Sequence, residues 1–310
     1  MARRLLVTID TEVDKDARWR IANPVSFRSI VDAVPNVFEP LFTRHGVRPT
    51  YFLSPEVIEN EACAGVLAGL GDRVELATHL HAEFVAPDRR LFVETMAGEP
   101  ADAIQKQYSR AVEAAKLATL TDMFRTTFGR APMAFRAGRY GASEHTFEIL
   151  AQLGYRVDSS VTPGLHWKYA EGELDYRAWR PEPRWIDTRA GRLLELPLSI
   201  QPRWPLGMTA ARFLPSIARV VPRVLGDSRA FTWLRPSWLS GTDLISYVER
   251  SDERILVLML HSIEGVAGAS PYAATNDDVR RIMSAMDELF SHCRKTGIEF
   301  STATEAAAYA

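Results

Sequence analysis

The chain is poor in lysine and in cysteine, and it lacks any long apolar run. Of its 37 Lys and Arg residues only five are lysines (Lys15, Lys106, Lys116, Lys168 and Lys295), a bias that base composition explains without invoking a ligand. The two cysteines, Cys63 and Cys293, are far apart and match neither a zinc nor a redox spacing, so they read as reduced thiols. No stretch approaches the roughly 18 apolar residues of a membrane-spanning helix. The opening apolar run, Leu5 to Ile9, meets acids at Asp10 and Glu12, too soon for a signal-peptide core. The expectation is a soluble, cytoplasmic protein. A net charge of −2 provides no basic field, which excludes nucleic acid as the main partner. There is no internal repeat, no low-complexity segment and no Gly-x-Ser-x-Gly nucleophile elbow.

What is present is ordinary for a globular protein: 310 residues, 46% hydrophobic and 25% charged, enough for one barrel or two small domains. Short β-branched apolar runs alternate with longer amphipathic stretches. Strands are expected at Leu5–Asp10, Arg48–Ser54, Arg73–His79, Pro132–Arg136, Tyr155–Asp158, Leu193–Ile200, Ile255–His261 and Gly297–Ser301. Helices are expected at about 26–45, 55–70, 101–128, 143–153, 241–251 and 275–296. Seven or eight strand–helix units fit an α/β parallel barrel, with a doubly wound open sheet as the competing architecture.

Asp10, His79, Arg136, Asp158 and His261 each terminate a different apolar run. In parallel barrels the strand C-termini converge on one face, where catalytic residues collect, so these five residues point to one active site. On an extended backbone Asp10 and Glu12 project to the same side, about 7 Å apart. One carboxylate could bind a metal while the other accepts a proton. In Thr78-His79-Leu80-His81-Ala82-Glu83 the imidazoles match a catalytic metal site that keeps one position for water. His79 pairs with His81 if the strand continues, or with Glu83 if a helical turn begins there. Phe135-Arg136-Ala137-Gly138-Arg139-Tyr140-Gly141 offers an arginine to hold a carboxylate ionised, and glycines that let backbone N–H groups approach an oxyanion. Asp158 is expected to orient His261 as a general acid. The remaining histidines, His45, His145, His166 and His292, sit in helix or loop contexts and read as structural or exposed.

The stretch from Arg203 to Arg235 holds six arginines against one acid, Asp227, with Pro215 and Pro222 interrupting any long helix. It reads as a connection packed on the barrel with its arginines in water, or else as a lid or membrane-surface element.

The ordered set TIDTE, THLHAE, FRAGRYG, VDSSVTP and LMLHSIE, which covers nearly the whole chain, resembles the polysaccharide deacetylase superfamily, the NodB-homology domain of carbohydrate esterases. The resemblance implies a single-domain distorted (β/α)7 barrel and metal-dependent removal of an acyl group from an N-acylated sugar. It makes Asp10 the general base, Arg136 its tether, His261 the general acid and Asp158 the partner of that histidine. His79 matches the first metal histidine. The sequence departs from the family in three places. Thr11 stands where many members carry a ligand Asp, leaving Glu12 to substitute. Glu83 stands at the usual second histidine, so His81 or Glu83 takes that role. One extra residue precedes Tyr140, whose backbone would be the oxyanion donor. The implied ion is divalent, Zn²⁺ with Co²⁺ or Ni²⁺ as alternatives, and the implied ligand set is Glu12, His79 and His81. The implied substrate is an N-acetyl or N-formyl amino sugar of surface-polysaccharide or glycolipid assembly, including a lipid-linked one reached by peripheral membrane contact. A metal-free amide or imide hydrolase of allantoinase type, and a non-catalytic carbohydrate binder, are the alternatives.

Overall fold

The computed structural model describes residues 2–87, 104–169, 172–203 and 230–310. Residues 204–229, most of the Arg-rich stretch, lie outside the described residues, and with them the expectation of a lid.

Five strands follow in chain order: β1 (Arg4–Thr11), β2 (Thr50–Leu53), β3 (Glu75–Leu80), β4 (Ala134–Ala137) and β5 (Val157–Asp158). A two-stranded hairpin, β6 (His166–Tyr169) and β7 (Gly172–Asp175), comes next, then the antiparallel pair β8 (Arg184–Thr188) and β9 (Gly191–Glu195). The remaining strands are β10 (Ile200–Pro202), β11 (Phe231–Trp233), β12 (Ile255–His261) and β13 (Glu299–Phe300). The main sheet runs β12-β1-β2-β3-β4-β5-β9-β8, with β13 also on β1, and every pair except β8/β9 is parallel.

The ladder has no direct β9/β12 pairing, yet the gap is bridged. Leu196 and Leu198 N–H groups donate to Asp158 and Val161 carbonyls (2.8 and 3.0 Å). On the other side Ser199 N–H donates to Val257 O (3.2 Å), and Met259 N–H donates to Leu234 O (3.2 Å). Seven parallel strands thus close through one irregular seam, the distorted (β/α)7 barrel that the sequence implied; the doubly wound alternative is excluded.

Strand alternation sorts the core. Leu6, Phe52, Ala77, Ala134, Val157, Leu194, Val257 and Met259 fill the barrel interior. Their neighbours Leu5, Val7, Ile9, Leu76, Phe135, Leu193 and Leu258 pack outward against the helices. The last long helix, Asn276–Thr296, shows why. Thr275 and Asp278 form a capping box, Gly297 (φ 74°) ends it, and Ile282, Met286, Leu289, Phe290 and Cys293 make its buried stripe. The expected helix over 26–45 is three pieces, Arg28–Val31, a wider turn at Val34–Phe38, and Glu39–His45. Pro35 and Pro40 lack an N–H and interrupt its hydrogen-bond ladder. No helix among the described residues is long and apolar enough to cross a membrane.

Candidate metal centre and active site

On β1, Leu6 faces the barrel interior, so Thr8 and Asp10 follow on the same face and Glu12 continues it just beyond the strand end. Asp10 lies level with His261 on β12, and His79 on β3 lies level with Arg136 on β4. All four stand at the C-terminal mouth. The turn after β4 comes so close to β3 that a Cβ at Gly138 would sit 2.5 Å from Leu80 O and 3.2 Å from the His81 ring, so only glycine fits.

Glu12 Oε1 is the hub. His79 Nε2 lies 3.3 Å and His81 Nε2 3.2 Å from it, and one donor atom from each of the three residues falls within 4.8 Å of the others. His79 Nδ1 donates to the Arg136 carbonyl (3.0 Å), which leaves the Nε2 lone pair facing the hub. His81 Nε2 is buried there without a hydrogen-bond partner. Glu83 stands on the other side of the same ring, with His81 Nδ1 3.8 Å from its Oε1, and accepts from Arg139 Nη2 at 2.8 Å. Of the two candidates, His81 faces the hub, and Glu83 lies behind its ring. An orphaned imidazole nitrogen, an imidazole of fixed tautomer and a carboxylate oxygen suit a borderline divalent ion such as Zn²⁺.

The electrostatics follow the same layout. Burial pulls the His81 imidazole down, but the Glu12 and Glu83 carboxylates bring it up to about 9. Burial raises Glu83, but its hydrogen bond to His81 and the Arg139 charge hold it down to about 2. Glu12 is held well below its ordinary value, burial notwithstanding, by His81 and by Lys15. Lys15 Nζ, itself buried, lies 3.3 Å from Glu12 Oε2, so the carboxylate turns one oxygen to the imidazoles and the other to an ammonium.

Beside this cluster Arg136 Nη1 donates to Asp10 Oδ1 at 2.6 Å. The guanidinium is wholly buried, bonded also to Thr8 Oγ1, Ser159 O and Ser159 Oγ, and lies over the Phe52 ring. Burial alone would raise the Asp10 carboxyl; the charges of Arg136, His79 and His261 outweigh it and hold it below the usual range. His261 Nε2 points to Glu12 Oε1 (3.9 Å).

His261 has a different partner from the one expected. Its Nδ1 lies 3.0 Å from Arg235 Nη2 and 3.3 Å from Glu264 Oε1, and Arg235 donates to that same Oε1 at 2.5 Å. Asp158 instead accepts from Ser160 Oγ (2.6 Å) and lies beside Glu195. The reason is the two-residue period of a strand: Val157 points into the barrel, so Asp158 points out, while Ser159 points in and reaches Arg136. Tyr140 shares a left-handed backbone with Arg139 (φ 57° and 53°), its carbonyl accepts from Tyr176 Oη (2.7 Å), and burial pushes its phenol well up.

The residues missed by sequence reasoning are Lys15, Arg235 and Glu264. Glu264 carried a signal, since it lies three residues after His261 and caps that turn. Lys15 bears the same spacing to Glu12. Arg235 was hidden among the other arginines.

No family model matches the chain, and no curated protein matches it. Solved structures do. A Mycobacterium smegmatis protein assigned as a polysaccharide deacetylase aligns over 100% of this chain and 91% of its own, at 14% identity and a TM-score of 0.54. The 4-alpha-glucanotransferase of Thermococcus litoralis aligns over 99% of this chain at 11% identity and a TM-score of 0.55, and the chain spans only 40% of it. At these identities the likeness is one of architecture: the chain has the barrel fold seen in the M. smegmatis structure.

Proposed function

We propose that the chain is a metal-dependent hydrolase that removes an N-acyl group, acetyl or formyl, from an amino sugar. The observation that carries this reading is the convergence of Glu12, His79 and His81 on one point, at the barrel mouth that Asp10 and His261 share. A divalent ion held by those three residues, Zn²⁺ with Co²⁺ or Ni²⁺ as alternatives, would polarise an amide oxygen and acidify a water. Asp10, kept ionised by Arg136, takes the proton of the attacking water. His261 Nε2 delivers a proton to the departing amine, which leaves poorly without one. Arg235 and Glu264 fix the His261 ring from behind.

The metal-free alternative has one observation on its side. Lys15 places a cation of the protein's own against Glu12.

Asp10→Asn and His261→Ala should each lower kcat on N-acetylglucosamine oligomers by about 10²–10⁴-fold, with circular dichroism unchanged. Turnover at the wild-type rate in either variant would refute the assigned roles.

A further inference from the structure

The loop after β1 holds a bulky residue in a conformation that side chains avoid: Trp19 has φ 62°. The loop is built to keep it there. Asp16 Oδ1 accepts from the backbone N–H groups of Arg18 (2.7 Å) and Arg20 (3.0 Å), and Oδ2 accepts from Arg20 Nε (2.9 Å). Trp19 N–H donates to Asp16 O (3.1 Å), and Lys15 and Ile21 close the loop as an antiparallel bridge. Ile21 anchors it in a small core with Val13 and Phe84. The indole is thereby set in T-shaped contact with two rings, 5.2 Å from His261 and 5.3 Å from Tyr272, and stays partly exposed.

We propose that Trp19 is a specificity-determining residue, the platform on which the sugar ring of the substrate rests. The inference depends on the function proposed above. If His261 protonates the leaving nitrogen, that nitrogen lies within hydrogen-bond reach of Nε2. The acyl carbon then lies on the Glu12 side and the sugar carbon on the other. The group within a ring's width of His261 is therefore the sugar. A pyranose offers C–H bonds of slight positive charge to the negative face of an indole. The same reasoning assigns Trp19 to the amine half of the substrate, so it selects the sugar and not the acyl group.

The test uses the metal-loaded protein, Trp19→Ala and Trp19→Phe. The substrates are the N-acetylglucosamine tetramer and 4-nitrophenyl acetate, which has no sugar. Trp19→Ala should raise KM for the tetramer about tenfold or more, with the loss on the tetramer exceeding that on the aryl ester by at least about the same factor. Trp19→Phe should recover most of it. Binding of the glucosamine tetramer should shift the wild-type tryptophan fluorescence, and this change should vanish in Trp19→Phe. Equal losses on both substrates, an unchanged KM, or a fluorescence change that survives without Trp19 would overturn the proposal. If wild type cleaves no N-acyl sugar, the function proposed above fails on that result alone, and the fluorescence titration still decides whether Trp19 contacts a sugar.

Discussion

One nitrogen of His261 meets two opposite charges. Arg235 can only donate to Nδ1, and ionised Glu264 can only accept from it, so the pair holds the ring in place whichever way the proton lies. Burial would raise the Glu264 carboxyl, but Arg235 and His261 hold it down to about 2. The folded-state value lies below the ordinary 4.5, so the stabilisation is complete above pH 4.5 and is lost as pH falls towards 2. It amounts to roughly 3 kcal/mol at neutral pH. Glu264→Gln should therefore flatten the acid limb of stability, measured by urea unfolding at pH 6 and pH 3, and lower kcat about tenfold or more. Asp158→Asn should leave kcat within about threefold of wild type, because Asp158 does not touch His261. A larger loss in Asp158→Asn than in Glu264→Gln would reverse this assignment. The sequence pointed to Asp158 because it ends an apolar run. Glu264, three residues beyond His261, lay inside the motif already singled out.

At the scale of the strand, position and face are separate facts. Apolar runs made the positions legible: β12 spans the expected Ile255–His261, and β1, β3 and β4 lie within a few residues of their expected ends. Face needs the parity of each residue against a buried neighbour, and β5 is only two residues long, so its parity had little support in the sequence. The consequence is the Asp158–Glu195 pair between β5 and β9. Both carboxyls are buried; burial, reinforced by the Asp158 charge and their mutual hydrogen bond, raises Glu195 well above its ordinary value. A carboxyl raised on folding stabilises fully below its unfolded value and progressively less as pH rises through the folded value. Glu195→Gln preserves the shape and the Val161 N–H acceptor while removing that titration. Its thermal midpoint should match or exceed wild type at pH 8, and the gap should narrow at pH 5. A variant markedly less stable at pH 8 would show that Glu195 is ionised in the fold.

The whole molecule gathers side chains from β1, β3, β4 and β12, more than 250 residues apart in sequence, onto one barrel mouth. That much was visible in the ordered motifs, because strand C-termini of a parallel barrel must share a face. The closure of the ring was not, since Ser199 and Leu234 bridge it outside any regular ladder. Nor was the inward reach of Arg235, packed between Trp238 and Tyr272, from a stretch whose composition read as a wet surface. The proposed mechanism stands on a divalent ion held at this mouth by Glu12, His79 and His81. Elemental analysis of the purified wild type and of His79→Ala, before and after incubation with zinc, tests it directly. About one zinc, cobalt or nickel per wild-type chain, and little in the variant, is the expected result. Wild type that takes up no ion, or His79→Ala that keeps as much, would contradict it.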